Sequence, residues 1–144
     1  MDAPVQTIDE STYRRITELL PIPCVDVVVR STVGVLLVRR NQHPLKGYWW
    51  VVGGRIWLGE AVLDAVRRKC AEEIGVEIAH PRFAGFYHDI YVENSFGQRL
   101  CSTVSLVYEG WISESAPIKL NEHHSEWKWG ELPERLKIVR TGDA

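Results

Sequence analysis

The 144-residue sequence predicts a mixed β-sheet flanked by helices, an α/β or α+β sandwich. Three observations predict it. The length suits one domain built on a single core, expected to span residues 1–144. Segments free of Pro and Gly, with apolar residues three and four apart, alternate with β-branched and aromatic runs. The composition, 45% hydrophobic and 25% charged, is that of an ordinary folded chain rather than a disordered or membrane-embedded one.

The elements follow in order. Thr7-x-x-Glu10 reads as a capping box, and Ile8, Tyr13, Ile16 and Leu20 share a face, so a helix is expected over residues 8–20, ended by Pro21 and Pro23. Val25–Val29 and Val33–Val38 read as antiparallel strands across Ser31-Thr32. A polar loop, Asn41–Gly47, precedes the aromatic run Tyr48–Val52 and then Gly53-Gly54. From Glu60 to Ile74, Leu63, Val66, Cys70 and Ile74 mark the clearest helix, with Gly75 as its stop. Phe83–Val92 and Leu100–Trp111 read as a hairpin turning around Asn94–Gly97. A short strand over Glu126–Trp129 and a helical turn near Pro133 complete the chain.

Charge and cysteine usage narrow the function. A formal net charge of -2 excludes a non-specific binder of nucleic acid or anionic lipid. Seven bases (Arg39, Arg40, Lys46, Arg55, Arg67, Arg68 and Lys69) nevertheless crowd residues 39–69 against two acids, Glu60 and Asp64, which makes a local basic strip. Neither a membrane-length apolar run nor the basic-then-apolar order of a signal peptide is present, so a cytoplasmic protein is expected. Cys24, Cys70 and Cys101 show no Cys-x-x-Cys spacing and read as small core hydrophobes.

The chemistry gathers after Gly54. Lys69, Glu72 and Glu73 read as one polar sector of the helix, expected away from the apolar stripe through Cys70 and Val66. Two carboxylates on a rigid support beside a glycine loop suit a hard divalent ion completed by water and phosphate oxygens. The plainer reading is a solvated helix with Arg68–Glu72 and Lys69–Glu73 pairs at i,i+4.

The spacing of Gly54, Glu60, Arg68, Glu72, Glu73, Gly75 and Val76, with Cys70 in an aliphatic slot, resembles the Nudix box, G-x5-E-x7-R-E-U-x-E-E-x-G-U. Lys69 stands where that pattern requires Glu. The segments Arg40–Arg55 and Glu122–Trp129 look like those of GDP-mannose mannosyl hydrolases, a branch that also lacks this Glu, and the likeness runs from about Cys24 to Leu136. It implies a Nudix-type α/β/α sandwich and hydrolysis of GDP-mannose or GDP-glucose by water attacking the anomeric carbon with inversion. It further implies Mg²⁺ as cofactor, with Mn²⁺ as a substitute, and a homodimer.

The roles carry over by position. The Gly53 carbonyl, Glu72, Glu73 and His123 would hold the metal, with His123 in the place of an amide. His124 would be the general base. Arg40, Arg55 and Arg68 would surround the diphosphate, Asp26 would lie on the sugar side, and Trp57 is the tryptophan expected to be exposed enough to cover base or sugar. Trp49, Trp50 and Trp129 read as core or interface aromatics. Thr103 stands where the branch has a Tyr near the diphosphate. Two other readings remain open: a pyrophosphohydrolase using Glu122 or Glu126 as base, and a catalytically silent nucleotide-binding module marked by Lys69.

Overall fold

The computed structural model describes residues 8–42, 45–93 and 99–140. Helix α1 (Glu10–Leu19) leads into strands β1 (Ile22–Ser31), β2 (Gly34–Arg40), β3 (Trp49–Trp50) and β4 (Val52–Arg55). Helix α2 (Val62–Ile74), strands β5 (Ala79–Glu93), β6 (Arg99–Trp111) and β7 (His124–Gly130), and helix α3 (Glu134–Arg140) follow. The strands form one seven-stranded mixed sheet in the order β3-β2-β1-β6-β5, with β4 also on β1 and β7 also on β2.

The sheet is buried on both faces. Along β1, Val25, Val27 and Val29 point to one side, where they meet Val66, Cys70 and Ile74 of α2. Val28 points to the other side, into a cluster with Val35, Leu37, Val107 and Leu136 of α3. A strand covered above and below loses the polar alternation of a half-exposed one, which is why Val25–Val29 is apolar almost throughout. The expected sandwich of a mixed sheet between helices is therefore present.

Several boundaries differ from expectation for local reasons. The first helix is capped by Asp9, whose side chain accepts from the Thr12 N–H, while Thr7 lies outside the described residues. Pro23 lies inside β1, and its carbonyl accepts from the Ile56 N–H at 3.1 Å. The aromatic run divides at Val51 into two strands with different partners, β3 on β2 and β4 on β1. The turn expected around Asn94–Gly97 lies outside the described residues. Beyond the predicted β1–β2 pairing, β1 runs parallel to β6 from Ile22↔Thr103 to Arg30↔Trp111.

Cys70 and Cys101 are buried and Cys24 is half-buried, all three as free thiols. Burial pushes the Cys24 and Cys70 thiols up to about 12, which removes their nucleophilic form at neutral pH. Among the described residues, no helix is long and apolar enough to cross a membrane.

Candidate active site

The candidate residues converge at one end of the sheet. Antiparallel pairing of β1 with β4 sets Asp26 opposite Gly53, and a Cβ at Gly53 would lie 2.5 Å from both the Val25 carbonyl oxygen and Asp26 Oδ1. Only glycine lets the two strands approach so closely. Helix α2 starts beyond this loop and ends at Gly75, whose φ of 69° is left-handed and whose N–H donates to the Ala71 carbonyl.

Arg68 is the hub of the loop before α2. Its guanidinium meets both oxygens of Glu60 at 2.7 and 3.0 Å, the Arg55 carbonyl at 2.8 Å, and Glu72 at 3.2 Å. The same group lies 3.7 Å over the Trp57 ring, while the Trp57 N–H donates to Glu60. Burial pushes the Glu60 carboxyl up, but the Arg68 hydrogen bonds hold it below the usual range. Arg68 is therefore engaged with protein groups on every nitrogen, and Trp57 is half-buried beneath it.

One position further on, Lys69 addresses another pair of carboxylates. Its Nζ lies 2.9 Å from Glu73 Oε1 and 3.4 Å from Glu72 Oε2, and its side chain is only 13% exposed. Its stem fills the space above Gly54, where a Cβ would meet Lys69 Cε at 2.6 Å. Both i,i+4 pairs of the plainer reading are thus formed. Glu73, expected on the outer sector of α2, is instead 3% exposed, because at about 100° per residue it falls within about 20° of Val66 on the buried face, where β7 brings His124 against it.

His124 is the first residue of β7, paired with Arg40 of β2 across a bulge. Asn121 Oδ1 accepts from the His123 N–H at 3.1 Å and lies 3.4 Å from His124 Nδ1. The Asn41 N–H donates to the His123 carbonyl, which fixes the loop from the opposite side. His124 Nε2 lies 3.5 Å from Glu73 Oε2, a buried oxygen with no hydrogen-bond partner. Burial, then Arg40, His123 and Lys69, push His124 down to about 4, so it is a neutral imidazole at neutral pH. Burial likewise raises Glu73, opposed chiefly by Lys69. His123 is more exposed and lies beside Glu122 at 3.6 Å, so His124 is the histidine that meets Glu73.

Asp26 is enclosed rather than open. It accepts from the Tyr87 hydroxyl and from Trp50 and Ser105, while burial pushes it up to about 6. Arg55 lies 4.5 Å over the Tyr13 ring, which ties the loop to α1. Glu126 is bound to Arg39 at 3.3 Å. Tyr87 and Asn121 were not singled out by sequence reasoning. They reach Asp26 and His124 through strand register and loop geometry, which no local pattern announces.

The donor types suit a cation. Glu72 and Glu73 already share one, the Lys69 ammonium, and carboxylate oxygens are the donors that a hard divalent ion takes. Among the described residues, no three His, Cys, Asp or Glu side chains gather as a ready metal cluster.

Comparison with known proteins gives this geometry a setting. The NUDIX domain family matches residues 20–140. The low-salt glycan biosynthesis protein Agl8 of Haloferax volcanii is 33% identical over 133 residues, covering 92% of this chain and 85% of its own. The MutT protein of Methanosarcina mazei superposes with a TM-score of 0.67 at 24% identity, covering 85% of this chain and 92% of that one. The NUDIX domain of Shewanella oneidensis NrtR, solved with ADP ribose, gives 0.66 at 21% identity, covering 94% and 97%.

Proposed function

The chain belongs to the Nudix family, whose hydrolases act on nucleoside diphosphate derivatives and generally use divalent metal ions, and from that premise we propose that it hydrolyses a nucleotide sugar. The substrate of this reading is GDP-mannose or GDP-glucose, and the products are GDP and the free sugar. Water attacks the anomeric carbon with inversion, and the C–O bond to the diphosphate breaks.

One observation carries the reading: the box position that would hold an activating carboxylate holds Lys69, while a buried neutral histidine faces Glu73. An ammonium cannot accept a proton from water, so attack at phosphorus lacks its usual base. His124 can accept that proton at Nε2. The imidazolium so formed meets Glu73 Oε2 at 3.5 Å, an oxygen otherwise without a partner, and this contact offsets the burial that keeps the resting ring neutral.

The leaving diphosphate gathers negative charge, which Arg40 and Arg55 neutralise from β2 and the end of β4. Arg68 acts here by holding the Arg55 carbonyl and Glu60, so it positions the loop. Mg²⁺, or Mn²⁺, held by Glu72, Glu73, the Gly53 carbonyl and His123, would add Lewis-acid stabilisation of the diphosphate when bound. Asp26 lies on the sugar side. The homodimer belongs to the same reading, and the exposed Phe86, Ile90 and Leu100 of β5 and β6 offer it an apolar surface.

Turnover of GDP-mannose in ¹⁸O-labelled water tests the proposal. Label in the free sugar is the expected result, and label in a phosphate product rejects it in favour of cleavage between phosphates. That alternative would need Glu122 or Glu126 as base, and Glu126 is occupied by Arg39.

A further inference from the structure

We propose that Lys69 is a tethered cation that competes with a divalent ion for Glu72 and Glu73, so that the nucleotide-free protein keeps this carboxylate pair bridged by one positive charge without metal. The inference rests on the metal assignment of the preceding section and adds a residue whose role there was only negative.

Three observations carry it. The ammonium bridges the two carboxylates, 2.9 Å from Glu73 Oε1 and 3.4 Å from Glu72 Oε2. The contact is largely withdrawn from water, since Lys69 is 13% and Glu73 5% exposed at the side chain. The stem has room to reach the carboxylates because it runs over Gly54, where a Cβ would meet Lys69 Cε at 2.6 Å.

An exposed lysine on the same helix could swing away at almost no cost. Lys69 cannot do so freely. Its departure leaves a carboxylate buried without its nearest countercharge, a strongly unfavourable state unless another cation arrives at once. A divalent ion entering this site must therefore displace the ammonium, and its apparent affinity falls by the free energy of that contact. The carboxylates suit a hard ion, but the chain supplies its own monovalent substitute.

Mn²⁺ binding to the nucleotide-free protein, read from the electron paramagnetic resonance signal of the free ion, tests this without any turnover. Lys69→Met, which keeps the stem and removes the charge, is expected to bind Mn²⁺ at least about tenfold more tightly than the wild type. Adding Glu73→Gln to that variant is expected to abolish the gain. Equal affinity in wild type and Lys69→Met, with Glu73→Gln weakening both, overturns the competition but leaves the metal assignment standing. Equal affinity that Glu73→Gln does not touch overturns both. A gain that survives Glu73→Gln overturns the proposal, since the ion then binds elsewhere. Should Lys69→Met not fold by itself, its refolding yield with and without Mn²⁺ decides: recovery with the ion supports the proposal, and no recovery overturns it.

Discussion

Arg68 and Lys69 are neighbours on α2, and each faces two carboxylates, yet their surroundings differ in kind. Arg68 meets Glu60, Glu72 and a backbone carbonyl, with an aromatic ring beneath it, so its donors and the buried Glu60 oxygens are satisfied together. Lys69 shares its one ammonium between Glu72 and Glu73 and leaves Glu73 Oε2 without a hydrogen bond. A planar fork suits a fixed joint, whereas a point charge on a flexible stem suits a group that must let go. The first cluster builds the loop, and the second retains an unmet valence beside a buried histidine. Unsatisfied buried atoms are uncommon in folded proteins, and here one lies where the chemistry is proposed.

Breaking the joint should give the largest effect. Arg68→Ala removes the partner of Glu60, whose side chain is 4% exposed, and is expected to cost about 3–5 kcal/mol in urea denaturation. A loss below about 1 kcal/mol would reduce the cluster to an ordinary surface pair.

The pH response sharpens the contrast further, because two buried groups near the site pull in opposite directions. Asp26 is raised to about 6, so its contribution is full below its unfolded value and is lost as pH rises through about 6. His124 is lowered to about 4, so its neutral burial costs stability as pH falls from its unfolded value through about 4. Between about pH 4 and 6 the two trends oppose each other in the wild type. Asp26→Asn removes the falling trend, and its stability relative to wild type should rise across that window by roughly 2–3 kcal/mol. A difference profile that stays level would mean that Asp26 titrates normally in the fold.

His124→Gln comes next, expected to lower kcat for GDP-mannose by ~10²-fold or more, the usual scale for losing a general base. A loss below about tenfold would put the base elsewhere. Glu72→Gln should matter least for stability, within about 0.5 kcal/mol of wild type, because Glu72 is 41% exposed and its partners keep Glu60 and Glu73. A larger loss in thermal unfolding would show that Glu72 is a structural member of the Arg68 joint.

What could be read from residues alone was whatever repeats locally. The apolar stripe of α2 and its glycine stop are properties of a short window, and both appear as expected. The spacing from Gly54 to Val76 is equally local. The parallel pairing of β1 with β6 is not, since it joins segments about 80 residues apart by hydrogen bonds that no nearby residue signals. The depth of Glu73 is different, because the helix period itself contains it: seven residues after Val66, Glu73 falls about 20° from it on the wheel, on the buried face with Ala65 and Cys70. What no local pattern signals is the bulged pairing of Arg40 with His124, which brings a histidine over it. Trp57 was expected to be open to a ligand, but Arg68 covers it, a contact that depends on how the loop folds back over eleven residues.

Gly53 and Gly54 look interchangeable as letters, but they answer to different masters. At Gly53 an added methyl would strike the carbonyl of β1, which cannot move without parting two strands. At Gly54 it would strike only the stem of Lys69. Gly54→Ala is therefore a conditional substitution, acceptable once residue 69 is shortened and otherwise a wedge that lifts the ammonium from its carboxylates. A laboratory library that varies 54 and 69 one at a time would miss that coupling, whereas varying them jointly would expose a pair that trades a methyl group for a charge.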